Sequence, residues 1–590
     1  MSQQPITTAT AATQAIPSNY KLTSENSAQI LVPITEQSDN KAFINPIQEF
    51  NRDLSVASIS VWSEMVREEK MAKFAARRSK GKGKRMAEEN PDWQFKFSIL
   101  DALSATGLRA IRYAKEIPNA DRIYANDFLP DAVEAIRRNV EYNGVSDKVS
   151  ATEGDASALM YQHRSKAQFD VIDLDPYGTA APFVDAAVQS LSNGGLLCIT
   201  CTDTAVMAGS NYPEKCYSNY GGTPVKAEYS HEAALRLILN SVSQSAARYG
   251  RYIEPLMSLS IDFYVRMWIR VHDGLSGTKK AFSKAGLVHV CSFCRSHKIQ
   301  AFGRVVTKTS DKGAESTKFQ APQTAHVGEN GRCDECSAVM HANGPMWIDT
   351  LHNKTFTKRL LEHVENNASK YGTAHRMKGM VSTANEELDA PFYFTTDTIA
   401  SAMKLAAPSM LTVASGLVNA GYHVSRSHAL AGSIKTDAPA SAIHDMFRKW
   451  MKTRPIKLDN VKEGSPTRVL VTKEAVIDAD LTHNQTVIDM LNNKERMTRY
   501  QANPANWGPL AKPAGGPPRK KGTEEGVEKV AKEDNGTSVE ASKATTKDDK
   551  LDNHGKADSS GDSVDKNVGE KRTVDGANDA HDNKKAKLDV

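Results

Sequence analysis

The sequence predicts an α/β fold centred on a mostly parallel sheet, and three observations carry that prediction. Four short apolar runs, over 97–101, 123–127, 149–153 and 170–175, each read as a buried strand that ends in or next to an acid. Helical patterns over 108–116, 130–142 and 182–191 separate or follow them, in βαβ rhythm. Two alternating runs, over 253–261 and 264–271, then read as an antiparallel pair closing one edge of the sheet.

At 590 residues the chain exceeds what one core usually organises. Composition shifts divide it into an arm over 1–40, the α/β domain over 41–275, a cysteine module over 283–350, a further domain over 351–510, and a charged tail over 511–590. The formal net charge is +5; the tail holds 16 basic and 17 acidic groups, so the remainder carries +6. That excess permits a polyanionic partner without demanding one. No run of about 18 apolar residues predicts a membrane span. Seven cysteines include two Cys-x-x-Cys pairs with no secretory signal before them, which favours a reducing compartment and a metal over disulfides.

Taken in order, the first 40 residues are rich in Thr, Ala, Gln and Ser and read as a floppy arm. No arginine precedes Arg52, which argues against a mitochondrial leader. Residues 43–46 read as an extended entry, and Asn51-Arg52-Asp53 opens a helix over 54–69 with Asp53 as its cap. The basic cluster Arg77, Arg78, Lys80, Lys82, Lys84 and Arg85 suits phosphates, an import signal or plain solvent.

The strand over 97–101 enters the turn Ala102-Leu103-Ser104-Ala105-Thr106-Gly107, where a helix start offers free N–H groups. Asp127 stands 20 residues beyond Gly107, the spacing at which an acid meets ribose hydroxyls. Asp155, after the third strand, is placed to accept an adenine amino group. The turn is poor in glycine, which suits a cofactor without phosphate, such as S-adenosylmethionine. Each acid is alternatively the N-cap of the next helix. The fourth strand ends in Asp175-Pro176-Tyr177-Gly178. An acid and a carbonyl to accept an amine's N–H, beside a ring to stack on, suit methyl transfer to the exocyclic amine of a base.

Cys291-Ser292-Phe293-Cys294 and Cys333-Asp334-Glu335-Cys336 supply four thiolates for structural zinc. Between 391 and 452, three helical patterns surround a strand start at Gly421-Tyr422-His423-Val424, as in a winged-helix-like substrate domain. Arg426, His428, Lys435, Arg448 and Lys449 are its expected phosphate contacts. Asn506-Trp507-Gly508-Pro509 closes the ordered body. The tail has no Phe, Trp, Tyr or Ile and is expected to stay unfolded. Its Lys571-Arg572 and Lys584-Lys585-Ala586-Lys587 have the spacing of a two-part nuclear import signal. These residues leave open an enzyme acting on another RNA or DNA amine, or an RNA-binding protein with a relic pocket; the intact set of acids argues against the relic.

From about Phe43 to Trp507 the chain resembles the eukaryotic tRNA (guanine-26-N2) dimethyltransferases. The motifs that carry the resemblance are Phe50-Asn51-Arg52-Asp53-Leu54-Ser55, Asp101-Ala102-Leu103-Ser104-Ala105-Thr106-Gly107-Leu108-Arg109, Asp175-Pro176-Tyr177-Gly178, Ser425-Arg426-Ser427-His428 and Ile434-Lys435-Thr436-Asp437-Ala438-Pro439. The resemblance implies a class I, Rossmann-like methyltransferase domain, then a zinc-containing insertion and an α+β C-terminal domain that binds tRNA. It implies two methyl transfers from S-adenosylmethionine to N2 of guanine 26. It also implies that Arg52, Arg109, Asp127, Asp155 and Ala156 contact the cofactor, and that Phe43, Asp175 and Tyr177 surround the guanine. A nuclear protein with a mitochondrial pool is the expectation for localisation.

Overall fold

The computed structural model describes residues 16–34, 45–79, 95–311, 313, 315–325, 327–492 and 497–500. They belong to one compact unit, Met1–Pro518. Phe43, most of the basic cluster, Trp507 and the whole charged tail lie outside the described residues, and so do the expectations placed on them.

A seven-stranded sheet forms the centre. Its strands are β3 (Phe97–Asp101), β4 (Ala120–Asp127), β5 (Val149–Glu153), β6 (Phe169–Leu174), β7 (Leu191–Cys201), β8 (Arg251–Ile261) and β9 (Tyr264–Asp273). The order is β5-β4-β3-β6-β7-β9-β8. The first five are parallel, β9 runs antiparallel to β7, and β8 to β9. The α/β expectation therefore holds, including its antiparallel edge. Val171, Ile172 and Leu174 of β6 have no solvent exposure, as a strand covered on both faces requires. Sequence order reverses between β3 and β6, so this is the topological switch point, where open α/β sheets bind ligands.

Two elements differ from expectation. Residues expected to be a floppy arm instead form a hairpin, β1 (Tyr20–Glu25) with β2 (Ala28–Pro33), turning at Asn26 with φ 47°. Asparagine tolerates that left-handed geometry better than most residues. The hairpin folds because Ala28, Ile30 and Leu31 bury against the core, and Asn139 accepts Leu31 N at 3.0 Å. The first long helix runs Glu49–Ser79, not 54–69. Asn45 caps the turn that precedes it. Asp53 lies inside the helix, fully buried, and accepts from Arg112 (2.6 Å) and from the Thr373 backbone (2.9 Å). A buried carboxylate with cationic and N–H partners is satisfied there, so it does not act as a cap.

β10 (Ala285–Cys291), β11 (His297–Ala301) and a strand at Met340–Trp347 form a small sheet in the cysteine region. Beyond it, helices Thr396–Met403, Met410–Asn419 and Ala440–Thr453 surround three short strands, Phe394–Thr395, Val424–Ser425 and Ser433–Thr436. The four cysteines share one apolar core with these helices, beside Met403, Leu417, Met446 and Phe447. Among the described residues, no helix is long and apolar enough to cross a membrane.

Candidate functional site

The carboxyl ends of β3, β4, β5 and β6 meet along one edge of the sheet, and Asn126 of β4 ties the ends of β3 and β5 to its own. Its side-chain amide donates to the carbonyls of Ala102 and Gly154, both at 3.1 Å, and its carbonyl accepts from Thr152. Its backbone oxygen accepts from Ser104 N at 2.8 Å. This asparagine was not singled out in the sequence; its only signal is a polar residue at the end of an otherwise apolar strand.

The turn after β3 is held in a tight form. Ala105 has φ 51° and Gly107 φ 80°. The left-handed geometry at Ala105 costs an alanine on the order of 1 kcal/mol. It is held by Asp127, whose Oδ2 accepts Ala105 N at 2.9 Å while Oδ1 accepts Leu129 N at 3.0 Å. A Cβ on Gly107 would stand 3.4 Å from Ile136, so the turn also packs closely on the next helix. Asp127 thus braces the turn and stands half-buried at the strand end. Asp155 is exposed and caps the helix Ala156–Gln162 through Ala158 N at 2.8 Å, with Ala156 buried beside it. The N-cap alternative therefore describes what Asp155 does in the free protein.

Beneath this rim, three carboxylates face two arginines. Arg266 grips Asp173 with two bonds, 2.8 and 2.7 Å, and Tyr113 donates to the same carboxylate at 2.5 Å. Burial opposes ionisation of Asp173, yet Arg266 and Arg109 outweigh it and bring its pKa down to about 2. Arg109 stands between the acids: Nη2 donates to Asp175, Nη1 donates to Ser55 Oγ at 3.0 Å, and Nη1 lies 3.5 Å from Asp173. Asp101 has no arginine of its own; it accepts from Ser104 Oγ at 2.6 Å. Burial, with Asp173 and Asp175 nearby, pushes its pKa up to about 7. Arg266, Tyr113 and Ser55 were likewise missed in the sequence, because nothing in their local pattern separates a buried partner from a surface residue.

Asp175 is half-buried at the end of β6, with Asn51 Nδ2 at 3.4 Å as a second donor. Tyr177, two residues on, is fully exposed. The loop is fixed just beyond: Gly178 N donates to Thr202 Oγ1 at 2.8 Å, and Thr202 N donates to the Gly178 carbonyl at 2.7 Å. Gly178 takes φ 87°, which a side chain would strain. The expected site residues thus separate into those the structure gathers on this edge, Arg109, Asp127, Asp155, Ala156, Asp175 and Tyr177, and Arg52, which is engaged elsewhere. Arg52 pairs with Glu25 of the hairpin through Nε (2.6 Å) and Nη2, and donates to the Asn45 carbonyl at 3.0 Å.

The four expected metal ligands converge. Cys291, Cys294, Cys333 and Cys336 are buried, free of disulfides, and offer sulfurs that all lie within 4.8 Å of one another. Cys291 and Cys336 lie 3.4 Å apart and Cys294 and Cys333 3.6 Å apart, sulfur to sulfur. Tetrahedral zinc with bonds of about 2.3 Å would space them by roughly 3.8 Å, so the set fits with small outward movement. Both pairs are knuckles followed by a left-handed residue, Arg295 (φ 61°) and Ser337 (φ 60°).

Three of the five expected phosphate contacts are not available for that role. His428, Lys435 and Arg448 are buried. His428 and Lys435 bond Glu387 at 2.5 and 2.7 Å, and Arg448 bonds Asp445 and the Leu470 carbonyl. Their charges are consumed by buried partners. Arg426 is half-buried and donates to the Leu491 carbonyl; Lys449 is half-buried as well, beside Asp478 at 2.7 Å.

Known proteins match the chain in sequence and in fold. The family model for the N2,N2-dimethylguanosine tRNA methyltransferases matches residues 21–448. The tRNA (guanine(26)-N(2))-dimethyltransferase of Schizosaccharomyces pombe is 43% identical over 500 residues, covering 80% of this chain and 90% of that protein. The protein of that name from Homo sapiens is 38% identical, covering 83% of this chain and 78% of its own length. A Saccharomyces cerevisiae relative, described as mitochondrial, is 40% identical, covering 84% of this chain and 92% of that protein. Among solved structures, Trm1 from Pyrococcus horikoshii with S-adenosyl-L-methionine superposes with a TM-score of 0.55 at 24% identity. It covers 72% of this chain and 99% of that one, and shows the same fold.

Proposed function

We propose that this chain, which belongs to the N2,N2-dimethylguanosine tRNA methyltransferase family, places two methyl groups from S-adenosylmethionine on N2 of guanine 26 of tRNA. The observation that carries the reading is the Asp175-Pro176-Tyr177-Gly178 loop at the switch point, with its acid anchored by Arg109 and its ring free for a base. S-adenosylmethionine, when bound, supplies an electrophilic methyl on a sulfonium.

The turn Ala102–Gly107, braced by Asp127, lays its backbone beside the cofactor at the switch point. Asp127 is assigned to the ribose hydroxyls, Asp155 and Ala156 to the adenine, and Arg109 to the cofactor's carboxylate end. Arg52 reaches that carboxylate by loosening its pair with Glu25, and Arg109 by sharing its guanidinium with Asp175. For the guanine, Tyr177 stacks on the base once it has left its helix. Phe43 is assigned to the other face. Asp175 accepts an N–H of N2, which favours the pyramidal nitrogen needed for attack and stabilises its developing positive charge. For the second transfer, the remaining N–H must face Asp175 while the first methyl turns away. The cysteine set is assigned structural zinc: four thiolates close the coordination sphere and leave no position for substrate.

The test is direct. Unmodified tRNA transcript, incubated with the purified chain and S-adenosylmethionine, is digested to nucleosides and analysed by mass spectrometry. The expected product is N2,N2-dimethylguanosine, lost when guanine 26 is changed to adenine. Methyl on another nucleoside, or none, would overturn the reading. Nuclear address by the tail's basic pairs belongs to the same proposal and is tested below.

A further inference from the structure

We infer that the protein holds a second nucleotide of the tRNA in a cleft where the catalytic sheet, the first cysteine knuckle and the C-terminal helices meet. The base sits there with an N–H on Glu228. This inference rests on the function proposed above.

A cavity of about 400 Å³ opens there, lined by Ser210, Lys226, Glu228, Arg295 and Thr398. A second, of about 240 Å³, shares Glu228 and Arg295 and runs on to Asp437-Ala438-Pro439. That last stretch belongs to a motif prominent in the sequence for which the methyl-transfer chemistry has no use. Ligand sites favour such junctions between parts of a protein.

Glu228 gives the cleft its chemistry. Thr395 N (3.1 Å), Thr395 Oγ1 (2.5 Å) and Thr398 Oγ1 (2.6 Å) all donate to Oε2, which fixes the side chain across the junction. None of these bonds falls on Oε1, and the residue lines both cavities. Burial raises its pKa, against the pull of the two threonines and of Arg295 nearby. A guanine, adenine or cytosine N–H supplies the missing donor. The lip is cationic: Lys226 is exposed, and Arg295 lies across from it, donating through Nη1 to the Lys226 carbonyl at 3.1 Å. Tyr229 holds the Arg295 carbonyl at 3.1 Å, so the arginine is positioned by the knuckle. Such cations contact phosphate and leave the carboxylate to read the base.

The cleft is also in the right place. Thr202 braces Gly178 of the base loop, the helix Thr204–Met207 follows, and Ala208 to Ser210 then line the cavity. The mouth is thus reached six residues along the chain from the residue that braces the loop carrying Tyr177. A strand whose target base is turned out toward Asp175 passes a neighbouring nucleotide over this mouth.

The test uses the full chain and unmodified tRNA transcript. Glu228→Gln keeps an amide oxygen for the two threonines and points an NH2 donor where Oε1 was, reversing what the cleft offers. The expected result is a KM for tRNA raised about 10-fold or more, with little change in kcat, thermal midpoint or cofactor affinity by calorimetry. Lys226→Ala, at an exposed position, is expected to weaken tRNA binding and lower the slope of log affinity against log salt by about one. Cross-links from 4-thiouridine placed near position 26 are expected on the peptides containing Ser210 or Lys226. Wild-type KM in Glu228→Gln, an unchanged salt slope in Lys226→Ala, and cross-links elsewhere would overturn the cleft and leave the function standing. A wild-type chain that methylates no tRNA would instead overturn the function, and the cleft with it.

Discussion

Replacing Asp101 by Asn tests the electrostatics of the site most sharply. Asp101 is 1% exposed, and its pKa is raised from 3.8 to about 7 by burial and by the neighbouring Asp173 and Asp175. The folded state therefore binds one more proton than the unfolded state between those values, and stability falls as pH rises through that window. For one site with these two pKa values, the cost is on the order of 2 kcal/mol at pH 5 and 4 kcal/mol at pH 8. Asparagine keeps the acceptor for Ser104 and cannot ionise. Relative to wild type, the variant should gain about 2–3 kcal/mol between pH 5 and pH 8, or on the order of 2–4 °C in thermal midpoint for a unit of this size. Scanning fluorimetry of both proteins from pH 5 to 8 reads the difference directly, because the shared contributions of other groups cancel. Midpoint curves that run parallel across this range would refute the picture of a proton held on Asp101 between two arginine-paired carboxylates.

Four other outcomes are expected. Asp175→Asn should keep cofactor and tRNA binding and lose roughly two to three decades of turnover, with residual product mostly monomethyl in single-turnover assays separated by nucleoside; near-wild-type rates would remove it from the mechanism. Asp127→Ala should weaken S-adenosylmethionine about 10–100-fold by calorimetry, with tRNA affinity nearly intact. Cys291→Ser should lose a metal whose binding contributes on the order of 10–16 kcal/mol. Elemental analysis checks the zinc, and faster hydrogen exchange in helix Ala440–Thr453 checks its reach, since Glu335, between two of the ligands, bonds His444 and Lys473. A fluorescent fusion truncated after Pro509 should leave the nucleus; continued accumulation there would move the signal elsewhere in the chain.

Much of the sheet was legible in the sequence because its signal is local: apolar runs of strand length, each followed by a turn and a helix. Asp175 and the four cysteines were legible for a related reason. Each sits in a short motif that sets its place: Asp175 directly after a strand and before a proline, the cysteines in two Cys-x-x-Cys pairs that converge. What was not legible depends on partners far away in sequence. Glu25 looks like the end of a polar arm until Arg52 and Arg112 reach it. Asp53 looks like a helix cap because a cap and a buried ion-pair member are the same residue type. His428, Lys435 and Arg448 look like phosphate contacts because a sequence shows charge and not burial. Asn126, which joins three strand ends, carries no motif at all.

The buried charges also decide how the C-terminal helices are held. His352, Glu387 and His428 bring their ligand atoms within 4.8 Å, a grouping that on composition alone suits a metal. Glu387, however, already accepts from Ser427 Oγ (3.0 Å), His428 N (3.1 Å) and Lys435 Nζ (2.7 Å). The Lys435 ammonium is the cation of this cluster, and it also reaches Glu232 at 3.1 Å. Glu232 lies in helix Ser230–Ala247 of the catalytic domain, where Arg236 bonds it at 2.7 Å; His428 accepts Ser260 N of β8 at 3.1 Å. One buried network therefore crosses from the catalytic sheet to the C-terminal strands. Removing a single member leaves its partner charged and unpaired, which costs about 3–5 kcal/mol, whereas a surface pair is worth at most about 1. A junction built this way resists bending between the catalytic domain and the C-terminal strands.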